Sequence, residues 1–237
     1  MNDIYKNIIQ TKIEEKLNGK KSNQYVLMFH SISPKEMWYN RNFCITPESF
    51  ENMLLELKNE NVGFASIDNL YLKSKKRILY ITFDDIFADV FIYAYPILKK
   101  YNIPFTVFIT VDFIGKANMI DRKMLKILAK DDLCTIGVHT FSHKNLSRCT
   151  KDELIKEIYG AKCTLEFLTK KNIHYMAYPY GNVIHVPLLA VVIVFLSKYK
   201  GAFSTISAPL HKYLRYFMPR INVNESNWRH IISKCTK

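Results

Sequence analysis

The chain has 237 residues, 49% of them apolar, which is enough for one sizeable core and too apolar for a protein dominated by disorder. Lys and Arg number 34 against 21 Asp and Glu, a formal net charge of +13 that would suit an anionic substrate or a membrane surface. The lysines are scattered (Lys73, Lys75, Lys76; Lys99, Lys100; Lys170, Lys171) and read as solvated faces. No recognition-helix or stacking-sheet pattern accompanies them, so nucleic acid is not an expected partner.

Cys44, Cys134, Cys149, Cys163 and Cys235 stand apart without a Cys-x-x-Cys pair, the pattern of reduced thiols. Residues 1–23 read as an N-terminal helical extension, polar through Lys21 and lacking the continuous apolar run of a secretory signal. The most apolar stretch, Val186 to Leu196, is too short to cross a bilayer. The expectation is a cytoplasmic protein with no transmembrane segment, peripheral membrane contact remaining open.

From residue 24 to 237, short apolar runs alternate with helical patterns. Tyr25 to Phe29 is a strand candidate. Thr46-Pro47 caps a helix whose apolar residues Phe50, Met53, Leu54 and Leu57 recur at helical spacing, and Gly63 marks its stop. Ile78 to Phe83 is the next strand, followed by a helix through Tyr101. Phe105 to Thr110 and Leu133 to Val138 are further strands. Thr150 to Glu153 forms a capping box that opens a helix to about Lys170. Strands are also expected at Tyr175 to Tyr178, around Ala202 to Ser204, and at Tyr216 to Val223. Such alternation predicts one α/β domain, a parallel sheet with helices outside, and a closed or nearly closed β/α barrel fits it better than an open sheet.

In a β/α barrel, functional residues collect at the C-terminal ends of strands. Here one strand ends in His30, another in Asp84-Asp85, another in His139 with His143 four residues on, and another in Pro179-Tyr180-Gly181. Adjacent carboxylates point different ways, so one can bind a metal while the other serves as a base. Two imidazoles four apart can face one cation. Asp85, His139 and His143 supply one oxygen and two nitrogens, the ligand count of a catalytic metal with an open position. The donor set suits Zn²⁺, with Co²⁺, Ni²⁺ or Fe²⁺ also compatible. His174, His185, His211 and His230 lack such a partner and read as surface or core residues.

Thr82-Phe83-Asp84-Asp85, His139-Thr140-Phe141-Ser142-His143 and Ala177-Tyr178-Pro179-Tyr180-Gly181 resemble, in order and spacing, the first three motifs of the polysaccharide deacetylases, the carbohydrate esterases that share the nodulation-type deacetylase domain. Tyr95 to Pro104 is similar too. Met28 to Ile32 and Pro219 to Val223 look like the branch whose last motifs are permuted to the N-terminus, which includes deacetylases of poly-N-acetylglucosamine. The resemblance covers residues 24 to 223. It implies a distorted (β/α)7 barrel in one domain, a metal on Asp85, His139 and His143, Asp84 as general base, His30 as general acid and the Tyr180 N–H as oxyanion donor. The implied substrate is an N-acetylated glycan or amino sugar. With no signal visible, an intracellular glycan precursor or a lipid- or nucleotide-linked sugar is expected.

Arg220 reads as a surface or structural arginine rather than the partner of Asp84. Where the family carries glycine after the aspartate pair, this chain has Ile86. A β-branched residue tolerates positive φ badly, so the turn is expected either to differ or not to need that conformation, and the side chain to add bulk at the acetyl pocket. That departure keeps open an impaired, saccharide-binding protein. A glycosidase built on Asp84 and a second carboxylate is another reading, but it leaves the histidine pair unexplained.

Overall fold

The computed structural model describes residues 3–19, 22–70 and 74–236. Its elements run α1 (Asp3–Asn18), β1 (Gln24–Phe29), β2 (Ser31–Ile32), β3 (Cys44–Ile45), α2 (Pro47–Asn59), β4 (Gly63–Phe64), β5 (Ile78–Phe83), α3 (Tyr95–Lys100), β6 (Phe105–Ile109), α4 (Arg122–Lys130), β7 (Cys134–Val138), α5 (Lys151–Ile155), α6 (Ala161–Thr169), β8 (Tyr175–Ala177), α7 (Leu188–Leu196), β9 (Gly201–Phe203), β10 (Ile221–Asn222) and α8 (Trp228–Thr236). The expected helix ends at Met1 and Lys21, and Lys73, lie outside the described residues.

The strands pair in parallel in the order β10-β1-β5-β6-β7-β8-β9. The edge of β5 is divided: β4 pairs with Ile78 and Leu79, and β6 takes over from Ile81 to Phe83. At the far side Met218 bridges to Phe203 of β9, and Ile221 and Asn222 then pair with Leu27 and Met28 of β1. The sheet thus curls on itself into the distorted (β/α)7 barrel expected, in a single domain.

Side-chain parity explains what each face holds. Val26, Ile78, Tyr80, Phe108, Tyr175, Ala177, Phe203 and Met218 form one buried cluster, the barrel interior. Their neighbours in the strands, among them Leu27, Leu79, Ile81, Val107, Val138 and Met176, belong to the larger cluster under the helices. Gly137 makes room for the interior, since a Cβ there would stand 2.4 Å from the Phe108 ring. Burying such residues contributes about 1.5–3 kcal/mol each.

The local signals act as expected at Thr46, whose hydroxyl accepts from Ser49 N–H, and at the Thr150–Glu153 capping box. Two differ. Asn61, at φ 59°, takes the left-handed turn after α2, and Gly63 instead opens β4. The helix from Thr150 is interrupted by a π-helical turn at Lys156–Gly160.

Candidate active site

Continuing the interior parity past each strand end carries Tyr80 and Thr82 to Asp84, Met28 to His30, Gly137 to His139, and Met218 to Arg220. All four polar groups come to the same end of the barrel, around a cavity of about 490 Å³ that His30, Asp84, Asp85, His139, His143 and Tyr180 help to line.

Arg220 is fully buried, and its guanidinium donates to both oxygens of Asp84, Nη1 to Oδ1 at 2.6 Å and Nη2 to Oδ2 at 2.7 Å. Its Nε donates to the Ser204 carbonyl at 3.0 Å, and the group lies over the Phe108 and Phe203 rings. Arg220 is therefore not a surface arginine, and, against expectation, it is the partner of Asp84. Parity was the overlooked signal: Arg220 is two residues from Met218 and points inward with it. Burial pushes the Asp84 carboxyl up, but the charge and hydrogen bonds of Arg220 outweigh it and hold the group well below the usual carboxylate range.

Asp85 follows at φ 63°, which turns its side chain away from Asp84 and towards the histidines. Its Oδ1 is 3.2 Å from His143 Nε2 and 3.6 Å from His139 Nε2. One ligand atom from each of these residues lies within 4.8 Å of the other two. His139 Nδ1–H donates to the Ala177 carbonyl at 2.9 Å, which leaves the Nε2 lone pair facing Asp85. Asp85 Oδ1 is buried without a hydrogen bond. Acceptor facing acceptor at this range is repulsive unless a cation stands between them, so the residues fit a divalent metal. Burial and the Asp84 charge push Asp85 up to about 7. Burial lowers His139 to about 3 and lowers His143 as well, so both are neutral ligands at neutral pH.

The loop carrying the histidines is held by a residue the sequence reading missed. Glu157, 2% exposed on the π-helical turn, accepts from the Phe141 N–H at 3.0 Å, the Ser142 N–H at 2.8 Å and the Ser142 hydroxyl at 2.5 Å. Thr140 at φ 66° and His143 at φ 61° are the bends it steadies, and Thr140 Oγ1 accepts from the His143 N–H. π-Helical turns often mark functional sites. A helical glutamate gives no local sign of this contact.

His30 is held near the cavity with its Nδ1 buried and unpartnered, and its ring lies 4.7 Å from Phe43. Burial lowers it to about 4, against the pull of Asp84. Tyr180, at φ 60° beside Gly181 at φ 42°, is half exposed, with its ring 5.2 Å from His143 and 5.4 Å from His185. A Cβ on Gly181 would stand 2.8 Å from Thr205 N, so glycine permits this close turn. His185, expected to be a bystander, lines the cavity, as do Tyr39 and Phe43 from the loop before β3.

Ile86 contradicts its expectation. The turn keeps the left-handed backbone at φ 65°, and the side chain, 1% exposed, sits in the core cluster rather than in the cavity. It adds no bulk to the cavity.

The polysaccharide deacetylase family model matches residues 72–191. A relative from Staphylococcus aureus (strain MRSA252), poly-beta-1,6-N-acetyl-D-glucosamine N-deacetylase, is 30% identical and aligns with 93% of this chain and 85% of its own length. The protein of that name from Staphylococcus epidermidis is 25% identical over 71% of this chain and 68% of its own. Among solved structures, the Streptococcus pyogenes deacetylase PplD superposes with TM-score 0.80 at 24% identity, covering 90% of this chain and 97% of that one. IcaB from Ammonifex degensii gives 0.77 at 20% identity, with 92% and 99% covered. The likeness to both structures is one of fold. The match over half the chain, with a relative this similar along nearly all of it, makes this protein a member of the polysaccharide deacetylase family.

Proposed function

We propose that this protein hydrolyses N-acetyl groups of a saccharide, in a metal-dependent reaction centred on Asp84. The observation that carries the reading is the convergence of Asp85, His139 and His143 against the Asp84–Arg220 pair. Bound by those three residues, a divalent cation, Zn²⁺ foremost, would supply Lewis acidity towards the acetyl carbonyl and an acidified water.

The remaining work falls to the chain's own groups. Asp84, kept ionised and aimed by Arg220, takes a proton from the attacking water. The Tyr180 N–H has no acceptor among the described hydrogen bonds and donates to the developing oxyanion. His30 rests neutral, so the proton it delivers to the departing amine is one gained during the reaction, passed on from Asp84. The amide C–N bond breaks, giving acetate and a free amino sugar. The Staphylococcus relatives are named for poly-beta-1,6-N-acetyl-D-glucosamine, and a polymer of N-acetylglucosamine is the substrate we assign here.

Acetate release from N-acetylglucosamine oligomers, by metal-stripped protein and after addition of each metal, tests the reading. Activity should appear with metal and fall by about a hundredfold or more in Asp84→Asn. Equal release by both forms would remove Asp84 from its role. New reducing ends without acetate would favour a glycosidase.

A further inference from the structure

Helix α7 carries an apolar face that no described residue covers. Its inward side, Ala190, Ile193 and Val194, packs into the main core. The outward side, Leu188, Leu189, Val192, Phe195 and Leu196, is equally apolar and is 78%, 41%, 42%, 60% and 67% exposed. A surface helix normally turns charged and polar groups outward, and one apolar all round is normally buried. This one is neither. Ile155 and Tyr159, on the α5 and π-helical segments packed beside it, are 39% and 50% exposed and widen the patch beyond the scattered apolar residues of an ordinary surface.

Charge selects the occupant. No Asp or Glu occurs between Glu166 and Glu225. Lys198 and Lys200 follow α7 directly and are exposed. Exposed Arg215 is tied to the Lys200 carbonyl and lies over the Tyr216 ring, which meets the Phe195 ring edge-on at 5.9 Å. An apolar stripe bordered by cations is what an interfacial helix presents to anionic lipid. A second copy presenting the same segment would offer no carboxylate between Glu166 and Glu225 to answer these cations.

We propose that α7 lies flat on an anionic bilayer surface. Its outward leucines and Phe195 enter the acyl boundary, and Lys198, Lys200 and Arg215 meet the headgroups. The helix is too short to cross the bilayer. Since cavity-lining His185 stands just before Pro187 and Leu188, docking would hold the cavity rim close to the lipid.

Sedimentation of the full chain with vesicles of phosphatidylcholine alone, and of phosphatidylcholine mixed with phosphatidylglycerol, tests this. Partition onto the anionic vesicles should be about tenfold stronger or more, and weaken in high salt. The combined Leu188→Ser, Phe195→Ser and Leu196→Ser variant should lose about tenfold or more. Ile127→Ser, at a 48% exposed position on α4, should change nothing. Phe195→Trp keeps the face apolar, so its blue-shifted emission and quenching by brominated acyl chains report immersion even if the triple variant fails to fold. Absence of partition, equal partition onto neutral vesicles, or a solution dimer that the triple variant splits would overturn the proposal.

Discussion

Asp84 and Asp85 are chain neighbours with the same carboxylate, and they stand on differently built sides of one cavity. On the wall formed by β1, β5 and β10, Asp84 receives two guanidinium bonds from Arg220 and stays ionised despite full burial. Across the cavity, Asp85 faces the Nε2 atoms of His139, whose Nδ1–H is already spent on Ala177, and of His143, and it is pushed up to about 7. One side is complete within the protein. The other gathers one carboxylate oxygen and two imidazole nitrogens that fit a divalent cation. The reaction proposed above uses both, a fixed anion that does not wander and a set of metal donors kept open.

Breaking the complete side should have the largest effect. Arg220→Met strands a buried carboxylate, and Asp84→Asn strands a buried guanidinium; removal of one partner from such a pair costs about 3–5 kcal/mol. Both variants should show that loss in urea unfolding without metal. Arg220→Lys, with a single point of contact in place of a fork, should recover only part of it. A loss below about 1 kcal/mol in both would mean that water reaches the pair and that the two sides are not built differently.

The open side should respond with the opposite sign. Asp85 has a folded pKa raised above its unfolded value of about 3.9, so the stability linked to its protonated form is present below about pH 4 and is lost as pH rises through about 7. Asp85→Asn should therefore hold or raise the stability of metal-free protein at pH 7 by up to a few kcal/mol. The same substitution should abolish the stabilisation of about 2.7 kcal/mol that a metal gives at a hundred times its Kd. Since His139 and His143 are already neutral, metal affinity should climb with pH to about 7, as Asp85 gives up its proton, and then level off. Calorimetric titration across this range checks it. A slope continuing well above pH 7 would assign the proton elsewhere.

Glu157 sharpens the comparison by acting on the open side alone. Glu157→Gln keeps the shape and removes the charge behind three hydrogen bonds, each worth about 1.5–3 kcal/mol when charge-assisted. Metal affinity should drop by about 10–100-fold, the range for outer partners of metal ligands. The Asp84–Arg220 pair should be untouched, so Arg220→Met should cost as much stability in a Glu157→Gln background as in the unaltered chain.

The barrel was legible in the sequence because burial of strands on both sides writes continuous apolar runs, as at Ile78 to Phe83, and because caps such as Thr150 act locally. The carboxylates and histidines were legible because they follow those runs directly. Arg220, Glu157, His185 and Tyr39 were not. Arg220 and Glu157 reach the site through contacts between distant segments: Arg220 directly precedes β10, the last strand of the curled sheet, and Glu157 is turned inward by a π-helical step that no residue pattern announces. Ile86 misled for a different reason. Its backbone conformation was judged by its own steric preference, whereas the surrounding core decided it.

That core also sets the smallest effect. Two adjacent left-handed residues, Asp85 and Ile86, swing the second carboxylate across the cavity, and the turn is closed by the Ile86 N–H on the Asp84 carbonyl at 2.6 Å. A β-branched residue there costs about 1–3 kcal/mol of strain. Deleting a buried side chain of this size costs about 2–5 kcal/mol. Burial therefore outweighs strain, which is why isoleucine can hold a turn that favours glycine. Ile86→Gly should lose only the difference, about 1–2 kcal/mol. Because the side chain lies in the core and not in the cavity, kcat should stay within about threefold, well under 1 kcal/mol of barrier. A rise in kcat of tenfold or more would show that isoleucine holds Asp85 away from its working position, and that the open side is misaligned.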